Sequence, residues 1–302
     1  MRTSRRTFIK SGAAALAATA LMPESVFAAK KRKGIIGVQL YSIRDEMGKD
    51  PLGSLTQVAK MGYEYVEHAN YVNRKFYGYA PAEFKKVLDD LGLKMISGHT
   101  VMGRQHWDES KKDFSDSWKY TIEDAGVLQQ RYVVSPSMDN SMRKTYDDFK
   151  RYMDVFNKSG ELCKKSGMKF GYHNHDFEFS EKLNDEKLFD IMMKSLDRNL
   201  VAMQLDIGNL YNGGAVALDV MNQYPGAFEI IHVKDEVAAS TGNEKYISTV
   251  LGEGIVNTKK VIDLARKKGG TTCYIIEQES YGDRTPMDCV KADLENMKKW
   301  GY

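Results

Sequence analysis

VAMQLDIG, residues 201–208, is a short apolar run that carries one carboxylate near its end. In an extended strand, residues two apart share a face. Val201, Met203, Leu205 and Ile207 therefore make one apolar face, and Ala202, Gln204, Asp206 and Gly208 make the other. The apolar face would pack under helices, which turns Asp206 to the opposite side. Seven other runs resemble this one: GIIGVQLYS (34–42), YEYVEHA (63–69), KMISGHT (94–100), RYVVSPS (131–137), KFGYHNH (169–175), EIIHVKD (229–235) and CYIIEQE (273–279). Amphipathic stretches lie between them, among them SLTQVAKMG (54–62), APAEFKKVLDDLG (80–92) and NTKKVIDLARKKGG (257–270). Several end in glycine, as helix C-termini often do. Eight strand–helix units with short connections predict an α/β fold closed as a (β/α)8 TIM barrel over residues 30–302. An open dinucleotide-binding sheet would carry a GxGxxG turn after its first strand, and LYSIRDEMG stands there instead.

The same alternation sorts the polar residues. Phe170 and Tyr172 face the helices, so His173 and His175 point into the barrel. Ile231 and Val233 face out, so His232 and Lys234 face in. Tyr274 and Ile276 face out, which leaves Glu277 and Glu279 inside. Gln39, Tyr41, Glu67 and His99 turn inward by the same test. All lie near the C-terminal ends of their strands, where such barrels place their active sites. A lone inward polar group would be read as a satisfied core residue. His173, Asp206, His232 and Glu277 on four successive strands form a ring that is costly to bury without a cation or bound water.

Two imidazoles and two carboxylates suit Mn, Co, Zn or Fe as a divalent ion better than Ca, which prefers oxygen ligands throughout. Such an ion would polarise a carbonyl and stabilise an enediolate. Removing the proton beside that carbonyl needs a base, and His175, Glu279 and Lys234 are the catalytic candidates. Gln39, Tyr41, Glu67 and His99, with Trp107 from the stretch RQHW, are the candidates to bind substrate. The stretch NYVNRKFYGY (70–79) adds four aromatics that would either pack over the mouth or offer a platform to a sugar ring. The long segment from Val237 to Asn257 exceeds usual connection lengths and reads as a lid.

The N-terminus reads as a twin-arginine export signal over residues 1–29. Arg5 and Arg6 precede an Ala-rich, weakly apolar run, and Ala28 and Ala29 supply small residues for cleavage. The run is too short and too rich in alanine for stable membrane insertion. The expectation is a periplasmic protein. The formal charge of +3 belongs to that signal, which holds Arg2, Arg5, Arg6 and Lys10 against Glu24, so the mature chain is neutral. Neutrality argues against a nucleic-acid partner. Three scattered cysteines, Cys163, Cys273 and Cys289, make neither a disulfide framework nor a zinc ribbon.

LYSIRDEM, GYEYVEHA, YHNHDFEF, LDIGN, IHVKD, LGEG and IIEQE, in that order from about Gly34 to the C-terminus, resemble the sugar phosphate isomerase/epimerase family of xylose isomerase-like barrels. The resemblance implies one divalent metal on strands five to eight. Asp206, His232 and Glu277 match three of its ligand positions. Many members have Glu where this chain has His173, and in ketose epimerases that Glu and the strand-eight Glu both bind metal and move protons. Similar barrels, including inosose dehydratases and lyases of 3-keto glycosides, eliminate a group β to a carbonyl. The leading expectation is thus an isomerase or epimerase of a sugar or sugar derivative. A metal-dependent lyase or dehydratase of a keto-sugar is its first rival, and a non-catalytic carbohydrate-binding barrel its second. The expected partner is a small carbohydrate, and an oligomer is compatible with the sequence.

Overall fold

The computed structural model describes residues 34–302, apart from Thr241 and Asn243. The export signal expected over residues 1–29, with Arg5 and Arg6, lies outside the described residues. Each of the eight quoted runs forms one barrel strand: β1 (Ile35–Gln39), β2 (Tyr65–His68), β3 (Lys94–His99), β4 (Tyr132–Ser135), β5 (Lys169–His173), β6 (Val201–Asp206), β7 (Ile230–Val233) and β8 (Cys273–Ile276). Neighbours in sequence pair in parallel, and β8 closes onto β1. A helix follows each strand: α1 (Pro51–Met61), α2 (Pro81–Asp90), α3 (Asp116–Val127), α4 (Tyr146–Lys165), α5 (Leu188–Ser195), α6 (Ala217–Gln223), α7 (Thr258–Leu264) and α8 (Pro286–Lys299). Caps follow the sequence. Thr145 and Thr285 accept from the backbone N–H groups of Asp148 and Asp288, and Gly62 ends α1 at φ 96°. No helix of the described residues is long and apolar enough to cross a membrane.

Alternation along the strands builds two apolar layers. Outward residues such as Val38, Val66, Phe170, Met203, Leu205 and Ile276 join helix residues including Leu55, Phe84, Trp118 and Phe156 in the main core. Inward residues near the strand starts (Ile96, Tyr132, Val134, Ala202, Ile230, Cys273 and Ile275) make an inner plug. The plug fills the lower barrel, so inward polar groups collect above it at the C-terminal ends. A bulge opposite Val66 and Glu67 puts both Ile96 and Ser97 inside, the first in the plug and the second against Glu67.

Small hairpins decorate the mouth after β2, β3, β5 and β7. The segment expected as a lid is one of them. Asp235–Ala238 pairs with Tyr246–Thr249, and the Asp235 carboxylate accepts from the backbone N–H of Gly252, Gly254 and Val256 at 2.8, 3.2 and 3.1 Å. Those bonds tie the loop down and occupy donors that a phosphate would otherwise need.

Candidate metal centre and active site

His173 and Asp206 are the last residues of β5 and β6, His232 pairs in register with Asp206, and Glu277 follows β8 directly. One ligand atom from each lies within 4.8 Å of the others. Asp206 Oδ2 is 3.9 Å from His173 Nε2 and 3.7 Å from His232 Nδ1, and Glu277 Oε2 is 2.9 Å from His232 Nδ1. The polar stretch 173–178 explains part of this closeness. Asn174 Oδ1 accepts from Asp206 N at 2.9 Å while its Nδ2 donates to Asp206 O at 3.2 Å, stapling the ends of β5 and β6 together.

A buried hydrogen-bond network beneath the ring orients its imidazoles. Gln204 Nε2 donates to Glu67 Oε2 at 2.8 Å, which fixes Gln204 Oε1 as an acceptor. That oxygen receives His173 Nδ1 at 3.1 Å and His99 Nε2 at 2.7 Å. His173 Nε2 is then the lone-pair nitrogen, as the Asn209 Nδ2 donor 3.4 Å away also requires. His232 Nε2 contacts Glu67 Oε1 at 2.6 Å, leaving Nδ1 for the ring. A carboxylate behind a ligating imidazole is the usual support of a metal-bound histidine.

The donor set fits a divalent cation. Asp206 Oδ1 accepts from Gly208 N and Asn209 N at 2.9 and 2.6 Å, but buried Oδ2 has no hydrogen-bond partner. Lys234 Nζ lies 3.2 Å from it as an ion pair without hydrogen-bond geometry. Four carboxyl groups, Glu67, Asp206, Glu277 and Glu279, face one lysine and His232. Burial raises the Asp206 carboxyl above its ordinary value despite Lys234. Burial also opposes charge on His232, yet Glu277 and Glu67 outweigh it and lift the imidazole to about 10. Burial and the neighbouring imidazoles hold His173 well below its ordinary value, hence neutral. A cation at the ring would satisfy Oδ2 and relieve the excess of carboxylates.

Three sequence expectations need correction. Lys234 does not line the cavity and sits instead in a cluster of carboxylates. It is fully buried, 3.0 Å from Glu277 Oε2 and 2.7 Å from Glu279 Oε2, and although burial opposes its charge, Asp206, Glu277 and Glu279 hold the ammonium well above its ordinary value. Gln39 and Glu67 are not at the cavity surface. Both are fully buried, and Gln39 Nε2 donates to Glu67 Oε1 at 2.8 Å, so they brace the site from below. Trp107 turns away from the mouth. It pairs with Phe114 in a hairpin of two-residue strands, and its Nε1 donates to Glu109 at 2.7 Å, while neighbouring His106 lines the cavity.

Tyr41, His99, His173, His175, Glu277 and Glu279 share one cavity of about 750 Å³ at the barrel mouth. His175 sits beside His173, ring centroids 5.2 Å apart, and its Nδ1 has no partner. Burial holds its imidazole below the ordinary value. Its backbone N–H donates at 2.9 Å to Glu178, a buried carboxyl that burial pushes up to about 8. Of the aromatics in 70–79, only Tyr71 reaches the cavity; Phe76, Tyr77 and Tyr79 pack on Phe84. Sequence reasoning missed Gln204, Asn174, Asn209 and Glu178. Gln204 shares the inward parity of Asp206, and that signal was there to find it.

Comparison with known proteins agrees with this architecture. An inosose dehydratase from Geobacillus thermodenitrificans is 25% identical over 170 residues, which cover 52% of this chain and 56% of the relative. The chain thus matches about half the length of that relative. An inosose dehydratase from Clostridium botulinum is 22% identical over 218 residues, covering 65% of this chain and 72% of the relative. The crystal structure of a sugar phosphate isomerase/epimerase from Parabacteroides distasonis superposes with a TM-score of 0.73 at 27% identity, covering 88% of this chain and 98% of that one. A family model for the xylose isomerase-like TIM barrel matches residues 55–300, and the chain belongs to that family.

Proposed function

We propose that the protein is a divalent-metal-dependent enzyme that removes a proton beside the carbonyl of a keto-sugar and expels an oxygen substituent β to that carbonyl. One observation carries this reading: a His/Asp/His/Glu ring with an unpartnered carboxylate oxygen opens into the same cavity as His175, whose Nδ1 has no hydrogen-bond partner. His173 Nε2, Asp206 Oδ2, His232 Nδ1 and the Glu277 carboxylate would hold the ion. When bound, Mn, Co, Zn or Fe in the divalent state would polarise the carbonyl and stabilise charge developing on its oxygen.

The chain's own residues do the rest. His175 accepts the proton from the carbon next to the carbonyl. The C–H electron pair becomes a C=C bond, and the bond to the β-oxygen breaks. The departing oxygen takes the proton back from His175, so no co-reactant is needed. Glu279, anchored by Lys234, accepts hydrogen bonds from substrate hydroxyls at the rim. Gln204 and Glu67 hold His173 and His232 in the tautomers the ring needs. The names of the relatives support elimination, and so does His173, which leaves strand five without the carboxylate that a two-carboxylate exchange would use.

A second reading is isomerisation or epimerisation. It is favoured by Glu279, a second proton-transfer group in the same cavity, and by the name of the Parabacteroides structure. The two separate in D₂O with metal-loaded protein and a panel of neutral ketoses and 3-keto glycosides. Loss of a leaving group supports elimination, and exchange with the carbon skeleton retained supports isomerisation. Exchange with no panel member would leave a carbohydrate-binding barrel. His175→Asn should lower kcat by about 100-fold with metal content intact. Full exchange in that variant together with its loss in Glu279→Gln would move the proton to Glu279.

A further inference from the structure

We infer that the mouth cavity extends past the sugar position onto an apolar platform that takes the flat ring of an aryl aglycone. This rests on the elimination reading and narrows its substrate to a keto-glycoside with an aromatic aglycone. A cavity of about 750 Å³ is of the size that holds a drug-sized ligand rather than one small ring. Among the described residues, eight large hydrophobic side chains are exposed, and four of them, Tyr41, Val72, Val101 and Tyr120, line this cavity. Half of the exposed apolar side chains at one rim indicate a surface that a ligand covers.

The hairpin side of the cavity is built rather than incidental. The hairpin Tyr71–Val72/Lys75–Phe76 turns through Asn73 and Arg74 at φ 52° and 59°. Two-residue turns of this kind favour Asn-Gly, so arginine at the second position is penalised. Arg74 is held there by Asp124, with Nε 3.0 Å from Oδ2 and Nη2 2.6 Å from Oδ1. The Tyr71 hydroxyl donates to the same Oδ2 at 2.6 Å, and the guanidinium lies 4.2 Å over the Tyr120 ring. Strain of this sort persists at ligand clamps. The charge of Arg74 is already matched by Asp124 and by Glu123 at 3.1 Å, so a phosphate gains little there. Asn70, Asn73, Thr100 and Ser117 line the same cavity and can serve sugar hydroxyls, while the exposed faces of Val72, Val101 and Tyr120 give an aromatic ring an apolar surface to lie on. An aryl oxygen is also a good leaving group, because a phenol ionises near pH 10.

Calorimetric titration of the metal-loaded protein with phenyl glucosides, methyl glucosides and cellobiose tests this without turnover. The phenyl glucoside should bind about tenfold more tightly than the methyl glucoside of the same anomer. Tyr120→Ala and Arg74→Gly should each cut that preference to about threefold or less. Glycine suits φ 59°, so Arg74→Gly keeps the turn, but it strips buried Asp124 of its guanidinium and should melt lower; Tyr120→Ala leaves that ion pair in place and is the variant that isolates the platform. Equal binding of phenyl and methyl glucosides, no binding of either, tighter binding of cellobiose, or a preference that survives both variants would each overturn the inference. Deuterium exchange on the keto-sugar panel tests the reaction separately from the aglycone.

Discussion

Replacing Lys234 with methionine removes the buried cation and keeps most of its apolar stem. In the wild type, Nζ lies 3.2 Å from Asp206 Oδ2, 3.0 Å from Glu277 Oε2 and 2.7 Å from Glu279 Oε2. At an effective dielectric of about 20, each such pair attracts by roughly 5 kcal/mol, against a desolvation cost of several kcal/mol per ion. The Glu279 side chain is 41% exposed, so solvent screens its share to about 1 kcal/mol or less. The loss is therefore set by Asp206 and Glu277, buried carboxylates left short of positive charge. Breaking such a pair costs about 3–5 kcal/mol. For a barrel of this size that is a fall in Tm of about 6–20 °C in metal-free protein. With a divalent ion at the ring, the same carboxylates are compensated, and the fall should shrink to less than half. Scanning calorimetry with chelator and with added Mn²⁺ measures both. A metal-free Tm within about 2 °C of wild type, or equal losses with and without metal, would refute the view of Lys234 as the internal counter-ion of the ring.

Asp206→Asn should keep the fold, because an amide oxygen can still accept from Gly208 N and Asn209 N, but metal affinity should fall by about 100-fold or more, read by elemental analysis. Glu178 ionises at about 8 in the folded protein against an ordinary value of 4.5, because burial disfavours its charge. The native state thus holds a proton that the unfolded chain loses, so this group destabilises progressively as pH rises from about 4.5 to about 8. Glu178→Gln should flatten that part of the Tm–pH curve, and an unchanged slope would count against it. We propose export by the twin-arginine route, under which changing Arg5 and Arg6 together to lysine keeps the precursor in the cytoplasm; normal periplasmic accumulation on fractionation would reject it.

Which side of a strand a residue occupies was legible in the sequence, because alternation is a local property of the chain. The count of strand–helix units brought the eight strands and the closed barrel into view, and alternation along the strands brought in the four ring residues. How high a residue stands inside the barrel was not legible. Height depends on the stagger between strands, which no single strand encodes. Gln39 and Glu67 pass the same parity test as Asp206, yet stagger places Glu67 against Gln204, two residues before Asp206 on β6. They became supports instead of substrate contacts for that reason. Trp107 failed for a different one: it lies in a short hairpin whose partner strand decides which side chain faces the mouth, and that partner is Phe114.

Lys234 shows the same gap between parity and chemistry. Its inward direction was right, but whether an inward amine is a base or a counter-ion depends on the carboxylates around it. Asp206, Glu277 and Glu279 come from two other strands, and only folding brings them within 3.2 Å. The stretch HNHDFEF divides in the same way. Its first histidine joins the ring, its asparagine staples two strand ends, its second histidine meets the cavity, and Glu178 holds the backbone of that histidine. A run this polar can enter a core because nearly every group in it has a partner. The Nδ1 of His175 is an exception, buried without one. A buried nitrogen left unpaired costs stability, and the proton-transfer role proposed for His175 would account for keeping it.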